Sequence, residues 1–230
     1  MSNVLCIGDC HAPCMMLAYP DWLVSIQDKY KCDRIVMIGD LVDMHCISMH
    51  QKMIENVVAS EEMEKAQLQV DMLVERFPKA DWLIGNHDAL PWRHMEQAGV
   101  PQSMMNKPGK IWNTKKWRVH KRYADLLIDN VIYRHGDKGK GGSRLAATGN
   151  ALQEYKSLVQ GHHHAQMGVE YITNSSGIRL FGAQTGCGVD MTHPFMSYAA
   201  RYSRQPCLGC VVVLEKGQVA ICEPFPKSLI

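Results

Sequence analysis

The chain has 230 residues, enough to bury a full core, and at that length a single domain spanning residues 1–230 is the expectation. Its 25 Lys and Arg against 23 Asp and Glu leave a net charge of +2, too small for a global field to demand a polyanionic partner, so any such preference must be local. No basic leader precedes an apolar stretch at the N-terminus, and runs such as Val211 to Leu214 fall far short of the ~18 residues of a membrane span, so no membrane contact and a cytoplasmic location are expected.

Asn3 to Ile7 is an apolar run ending at Gly8-Asp9, the pattern of a buried strand, and a helix fits Asp21 to Tyr30. Arg34 to Ile38 repeats the strand pattern and ends at Gly39-Asp40. In Ser60 to Phe77 the apolar positions 63, 66, 70, 73, 74 and 77 recur at steps of three and four; Glu61 and Glu62 suit a helix N-terminus and Pro78 ends it. Trp82 to Ile84 is a third strand, closed by Gly85-Asn86, and a helix fits Ala89 to Ala98. Leu126 to Tyr133 reads as one strand leading to His135, Ser143 to Lys156 as a helix, and Leu158 to Gln160 as a strand stopping at Gly161-His162. Four more strands follow at Val169 to Thr173, Ile178 to Phe181, Cys210 to Leu214 and Gln218 to Cys222, with turns at Asn174-Ser175-Ser176-Gly177 and Lys216-Gly217. Alternating strands and helices predict a layered α/β sandwich, with the C-terminal third as its antiparallel completion. Nine cysteines in an odd, irregular set read as reduced thiols, and the lone CxxC at Cys207 and Cys210 as core.

Five predicted strands stop at polar groups: Asp9 and His11, Asp40 and Asp43, Asn86 with His87 and Asp88, His135, and the triplet His162, His163 and His164. Ligands in α/β sheets gather beyond the carboxyl ends of strands. Carboxylates, an amide oxygen and imidazoles suit divalent Mn, Fe or Zn and need no thiolate. One Gly-Asp after a strand is often only a turn; five such blocks in order are hard to attribute to turn chemistry.

The blocks Asp9-Cys10-His11, Gly39-Asp40-Leu41-Val42-Asp43, Gly85-Asn86-His87-Asp88, His135 and Gly161-His162-His163-His164 resemble, in order, the DxH, GDxxD, GNHD, isolated H and GHxH signature of the calcineurin-like metallophosphoesterase superfamily. The resemblance implies a sandwich of two mixed β-sheets flanked by helices and two divalent metal ions, Mn first, with Fe, Zn or Ni as alternatives. Asp9, His11 and His164 would hold one ion, Asn86, His135 and His162 the other, and Asp40 would bridge them. In an extended segment side chains alternate, which sets His162 and His164 on one side and His163 on the other, facing substrate or the outer shell. Two ions about 3.5 to 4 Å apart can share a water, lower its pKa and neutralise charge on phosphorus, so a bridging hydroxide would attack in line. His87 would protonate the leaving group, oriented by the Asp43 carboxylate. Asp88 is read as fixing the local turn, His45 as a core or surface residue, and Cys10 as packing.

Substrate class is less legible. Phosphoprotein phosphatases of this superfamily carry arginines where Met44 and Ala89 stand, which makes that branch less favoured. Residues 107–123 hold seven Lys and Arg, no acid, and Trp112, Trp117 and Tyr123, a pattern that pairs phosphates with cations and bases with rings on single-stranded nucleic acid. Lys138 and Arg144, in a glycine-rich basic stretch after His135, are further substrate-binding candidates. The expectation is phosphodiester hydrolysis in nucleic acid or nucleotides. The alternatives are a phosphomonoesterase acting on a small molecule, a nucleotide end or a phosphoprotein, and a non-catalytic nucleic-acid-binding module, which the complete ligand set and His87 disfavour. No helix shows sustained heptads, so nothing argues for a coiled-coil dimer.

Overall fold

A computed structural model of the chain describes residues 2–48, 58–139, 145–201 and 203–229. In chain order the elements are β1 (Val4–Ile7), α1 (Tyr19–Tyr30), β2 (Arg34–Met37), α2 (Ala59–Arg76), β3 (Asp81–Leu83), α3 (Leu90–Gln97), α4 (Pro108–Ile111), β4 (Arg118–His120), β5 (Leu126–Ile128), β6 (Val131–Arg134), α5 (Ala146–Glu154), β7 (Ser157–Gln160), β8 (Met167–Thr173), β9 (Arg179–Thr185), β10 (Gly209–Leu214) and β11 (Val219–Pro224). They build two mixed sheets, one ordered β11-β10-β1-β2-β3-β4 and the other β5-β6-β7-β9-β8.

Alternation along the strands sets the layers. Val4 and Cys6 of β1, Val36 and Ile38 at β2, Leu83 of β3 and Val211 and Val213 of β10 meet Tyr133, Val159, Phe181 and Ala183 of the second sheet in one buried cluster between the sheets. The opposite faces, Leu5, Ile7, Ile35, Met37 and Trp82, pack on Trp22, Leu23 and Ile26 of α1 and Ala66, Val70 and Leu73 of α2. Ala147 and Ala151 of α5 cover Ile132 and Leu158 on the far side of the second sheet. Fully buried on both faces, β1 and β2 therefore read as unbroken apolar runs.

The structure corrects the sequence reading in three places. The stretch Leu126 to Tyr133 is a hairpin, not one strand: Asp129 and Asn130 take φ of 48° and 62°, the left-handed pair that a two-residue I′ turn requires. An edge strand, β4, forms inside the basic stretch and pairs in parallel with β3. The C-terminal third is not wholly antiparallel, because β9 pairs with β8 antiparallel but with β7 parallel, while β10 and β11 return to the first sheet.

Candidate metal centre

The parallel strands β1, β2, β3, β6 and β7 all deliver their C-terminal ends to one side of the sandwich. There the main chain turns sharply, with Asp9, His11, Asp40 and His162 at φ of 51°, 49°, 47° and 69°. Non-glycine residues in this region cost of order 1–3 kcal/mol each, and interlocking main-chain bonds hold them: Asp9 N–H donates to Gly39 O at 3.1 Å and His11 N–H to Asp40 O at 2.9 Å. Two glycines make room. A Cβ on Gly85 would collide with Asp40 Oδ1, and one on Gly161 with Asp9 Oδ2.

Besides the group His11, Asp43 and His87, two donor clusters result. Asp9, His11 and His164 form the first, with His11 Nε2 3.1 Å from His164 Nε2 and His164 Nε2 3.4 Å from Asp9 Oδ1. Asp40, His135 and His162 form the second, and Asn86 joins it through Oδ1, 2.9 Å from His135 Nε2. Asp40 Oδ2 lies 3.2 Å from His135 Nε2 and 3.7 Å from His11 Nε2, between the clusters. Within each cluster the donor atoms lie within 4.8 Å of one another, and imidazole nitrogens converging on carboxylate oxygens fit a divalent cation. His135 Nδ1 faces Ile38 O at 3.0 Å and His11 Nδ1 faces Asp43 Oδ1 at 2.7 Å, contacts that fix which ring nitrogen points inward.

His87 adjoins this pair. Its main-chain N–H donates to Asp40 Oδ1 at 2.8 Å, and its ring meets that of His11 edge-on at 4.6 Å. Asp43 reaches both His87 and His11. His87 Nδ1 lies 2.6 Å from the main-chain oxygen of Asp43 and 3.4 Å from its carboxylate, whose shortest contact is to His11. The carbonyl thus sets the tautomer of His87, and the carboxylate serves His11.

A family model described as calcineurin-like phosphoesterase matches residues 2–187. The chain belongs to the calcineurin-like phosphoesterase family. No curated protein sequence matches it. Among solved structures, Vps29 from Chaetomium thermophilum is similar in fold, with a TM-score of 0.50 and 11% identity over 98% of this chain and 100% of that one. A metallophosphoesterase from Sphaerobacter thermophilus gives a TM-score of 0.49 and 14% identity over 99% of this chain and 96% of that one. Nuclease MPE from Pseudomonas putida gives 0.39 and 12% over 96% and 87%.

Dinuclear metal dependence of the calcineurin-like phosphoesterase family accords with the electrostatics of the two clusters. Burial opposes charge on Asp9 and Asp40, yet the imidazoles of His164 and His135 outweigh it and hold both carboxyls below their ordinary range. Burial would lower His135, but Asp40 and then Asp9 raise it to about 10. His87 follows the same logic: burial lowers it, Asp40 and Asp43 raise it, and the net direction is upward.

Buried hydrogen bonds behind the two clusters hold their loops in place. Asp88, fully buried, accepts from Val42 N at 3.1 Å, Gly85 N at 2.9 Å and Trp82 Nε1 at 3.2 Å, tying the second and third ligand loops together. A chain of buried amides supports the histidine triplet: Asn150 Nδ2 donates to Gln160 Oε1 at 2.9 Å, Gln160 Nε2 to Gln184 Oε1 at 3.2 Å, and Gln184 Nε2 to Gly161 O. Sequence reasoning passed over this chain, although a glutamine inside the apolar run of β9 is its visible signal.

The remaining candidates spread out. The segment at the triplet is not extended, since His162 is left-handed; His163 stands edge-on to His162 at 4.9 Å with a buried Nε2 that has no hydrogen-bond partner. Lys138 Nζ lies 3.4 Å from Asp125 on the surface, and Arg144 lies outside the described residues. Cys10 packs in the core beneath the helices, where burial pushes its thiol well above the ordinary value. His45 is buried and stacks on Phe195 at 4.3 Å. Of the aromatic residues in the basic stretch, Trp112 and Trp117 are core, at 2% and 6% exposure, and offer no face to a nucleic-acid base; Tyr123 is 51% exposed.

Proposed function

We propose that the protein is a dinuclear-metal phosphoesterase that hydrolyses phosphodiester bonds in nucleic acid or nucleotides. The observation that carries this reading is the position of Asp40, whose one oxygen lies between the two donor clusters and whose other holds the main chain of His87. When bound, two divalent ions, Mn foremost with Fe, Zn or Ni as alternatives, supply Lewis acidity towards the phosphoryl oxygens and a nucleophile from water at neutral pH. Asp9, His11 and His164 would hold one, Asn86, His135 and His162 the other. His87 would give its Nε2 proton to the departing oxygen, because Nδ1 is engaged by the Asp43 carbonyl. Asp43 keeps His11 aimed inward. The lysines of residues 107–123, which have no acidic partner among the described residues, favour a polyanionic substrate such as a nucleic-acid strand over a small, singly phosphorylated ester.

We also read residues 1–230 as one domain, since β10 and β11 from the C-terminus pair with β1 from the N-terminus. Nine free thiols are in keeping with a reducing, cytoplasmic setting. Among the described residues no helix is long and apolar enough to cross a membrane. Mn-dependent hydrolysis of bis-p-nitrophenyl phosphate, p-nitrophenyl phosphate and an end-labelled single-stranded oligonucleotide tests the reading. Turnover of the diester and the oligonucleotide supports it. Turnover of the monoester alone replaces it with a phosphatase.

A further inference from the structure

Ile84 and Ala89, which bracket the loop carrying Asn86 and His87, also line a cavity of about 1170 Å³ closed by α3 on one side and by residues 102–123 on the other. Its volume is that of a generous small-molecule site. The floor is apolar, made by Ile84, Trp117 and Val119. Two more accessible rings stand over it. Trp92 is held by a hydrogen bond from Nε1 to Asn106 O at 3.0 Å, and Tyr123 lies under the Arg122 guanidinium, 4.6 Å from its ring centroid.

The charges around this cavity are not spent. Arg118 and Arg122 of the same stretch pair with Asp81 and Asp137, but Arg93, Lys107, Lys115 and Lys121, all lining the cavity, have no acidic partner among the described residues. The one acid on its wall, Glu96, accepts from Gln102 Nε2 at 2.8 Å. Thr114, also on the wall, is 1% exposed, and its Oγ1 is buried without a hydrogen-bond partner.

We propose that this cavity binds a nucleoside phosphate unit, the base against Trp92 or Tyr123 and the phosphate among the lysines. Rings alone would suit any flat apolar molecule, and cations alone any phosphate. Their combination on one wall selects a flat aromatic group carrying an anion. Because Trp112 and Trp117 are buried, the cavity offers rings for about one nucleotide and not a ladder for a long strand. The inference rests on the phosphodiesterase reading for its biological sense, since Ile84 and Ala89 place the cavity next to the loop of His87.

The test is calorimetric titration of the full-length, metal-loaded protein with adenosine 5′-monophosphate, ribose 5-phosphate and inorganic phosphate. Adenosine 5′-monophosphate should bind more tightly than the other two. Trp92→Ala should weaken it about tenfold or more, the scale of one base–aromatic stack, while shifting inorganic phosphate less than twofold, whereas the exposed double variant Lys107→Glu/Lys115→Glu should weaken the nucleotide about tenfold or more and inorganic phosphate with it. Equal binding of the nucleotide and ribose 5-phosphate, or a nucleotide affinity within twofold of wild type in both variants, overturns the proposal. If Trp92→Ala misfolds, the surface double variant and Tyr123→Ala still decide it. A single-stranded oligonucleotide that competes with the nucleotide assigns the cavity to strand ends, and one that does not assigns it to free nucleotides; either result supports the cavity. Wild-type hydrolysis of bis-p-nitrophenyl phosphate is scored separately, so its absence would remove the phosphodiesterase reading without touching the nucleotide site.

Discussion

The carboxylate of Asp40 accepts the main-chain N–H of His87 at 2.8 Å. One residue thus links the space between the two donor clusters to the candidate acid, and disturbing it should affect metal content and acid placement together.

Asp40→Ala is expected to lose bound metal, because it removes a carboxylate that lies within 4 Å of both His11 and His135. Elemental analysis after Mn loading and desalting should give well below two ions per chain. A retained pair would contradict the bridging role.

Gln184→Leu should weaken metal retention without touching a ligand. The substitution cuts the amide chain between Gln160 and Gly161 O: it takes away the acceptor of buried Gln160 Nε2 and one of the two donors of the Gly161 carbonyl, which keeps His163 N–H at 2.8 Å. A tenfold or greater loss in Mn affinity by competition with a chelator, partly restored in Gln184→Asn only if the shorter amide reaches, separates positioning from general destabilisation. Equal affinity in Gln184→Leu and wild type would remove the chain from the account.

Metal uptake should release protons. His135 is held at about 10 by Asp40 and Asp9, whose charge outweighs burial, so near pH 7 it is protonated in the metal-free protein and must lose that proton to bind a cation. Mn affinity should therefore rise with pH across the neutral range, with about one proton released per chain from this group. Titration in buffers of different ionisation enthalpy counts it, and a count of zero would be the contrary result.

Asp81 gives a separate pH signature in stability. Burial opposes its charge, but Arg118, His120 and Arg34 outweigh it and bring its pKa to about 2. A depressed carboxyl contributes fully above its unfolded value, near 4, and the contribution fades as pH falls from about 4 to 2. It amounts to about 2 kcal/mol at most, reduced by screening because the Arg118 side chain is 63% exposed. Denaturant unfolding should show wild type more stable than Asp81→Asn at pH 6 and the gap closing by pH 2. A gap independent of pH would place the effect elsewhere.

Much of the candidate centre was legible because its donor residues stand within four residues after a buried strand, so an apolar run followed by Gly-Asp, Gly-Asn or a histidine marks both the element and the polar group at its end. What lay hidden depended on three-dimensional neighbours. The Asp129-Asn130 pair lies inside the run read as one strand, yet both residues tolerate positive φ. Trp112 and Trp117, among lysines in the sequence, turn inward against α2 and β3 while the lysines stay at the surface. The competition between the Asp43 carbonyl and carboxylate for His87 is a matter of tenths of an ångström that no spacing encodes.

The most direct measurement is single-turnover hydrolysis by His87→Ala against wild type, with metal content determined on the same samples and diesters of graded leaving-group pKa. The account predicts near-normal metal content, a rate lower by about 10²- to 10⁴-fold, and a deficit that grows as the leaving group worsens. Equal rates on the poorest leaving group, with metal retained, would contradict it.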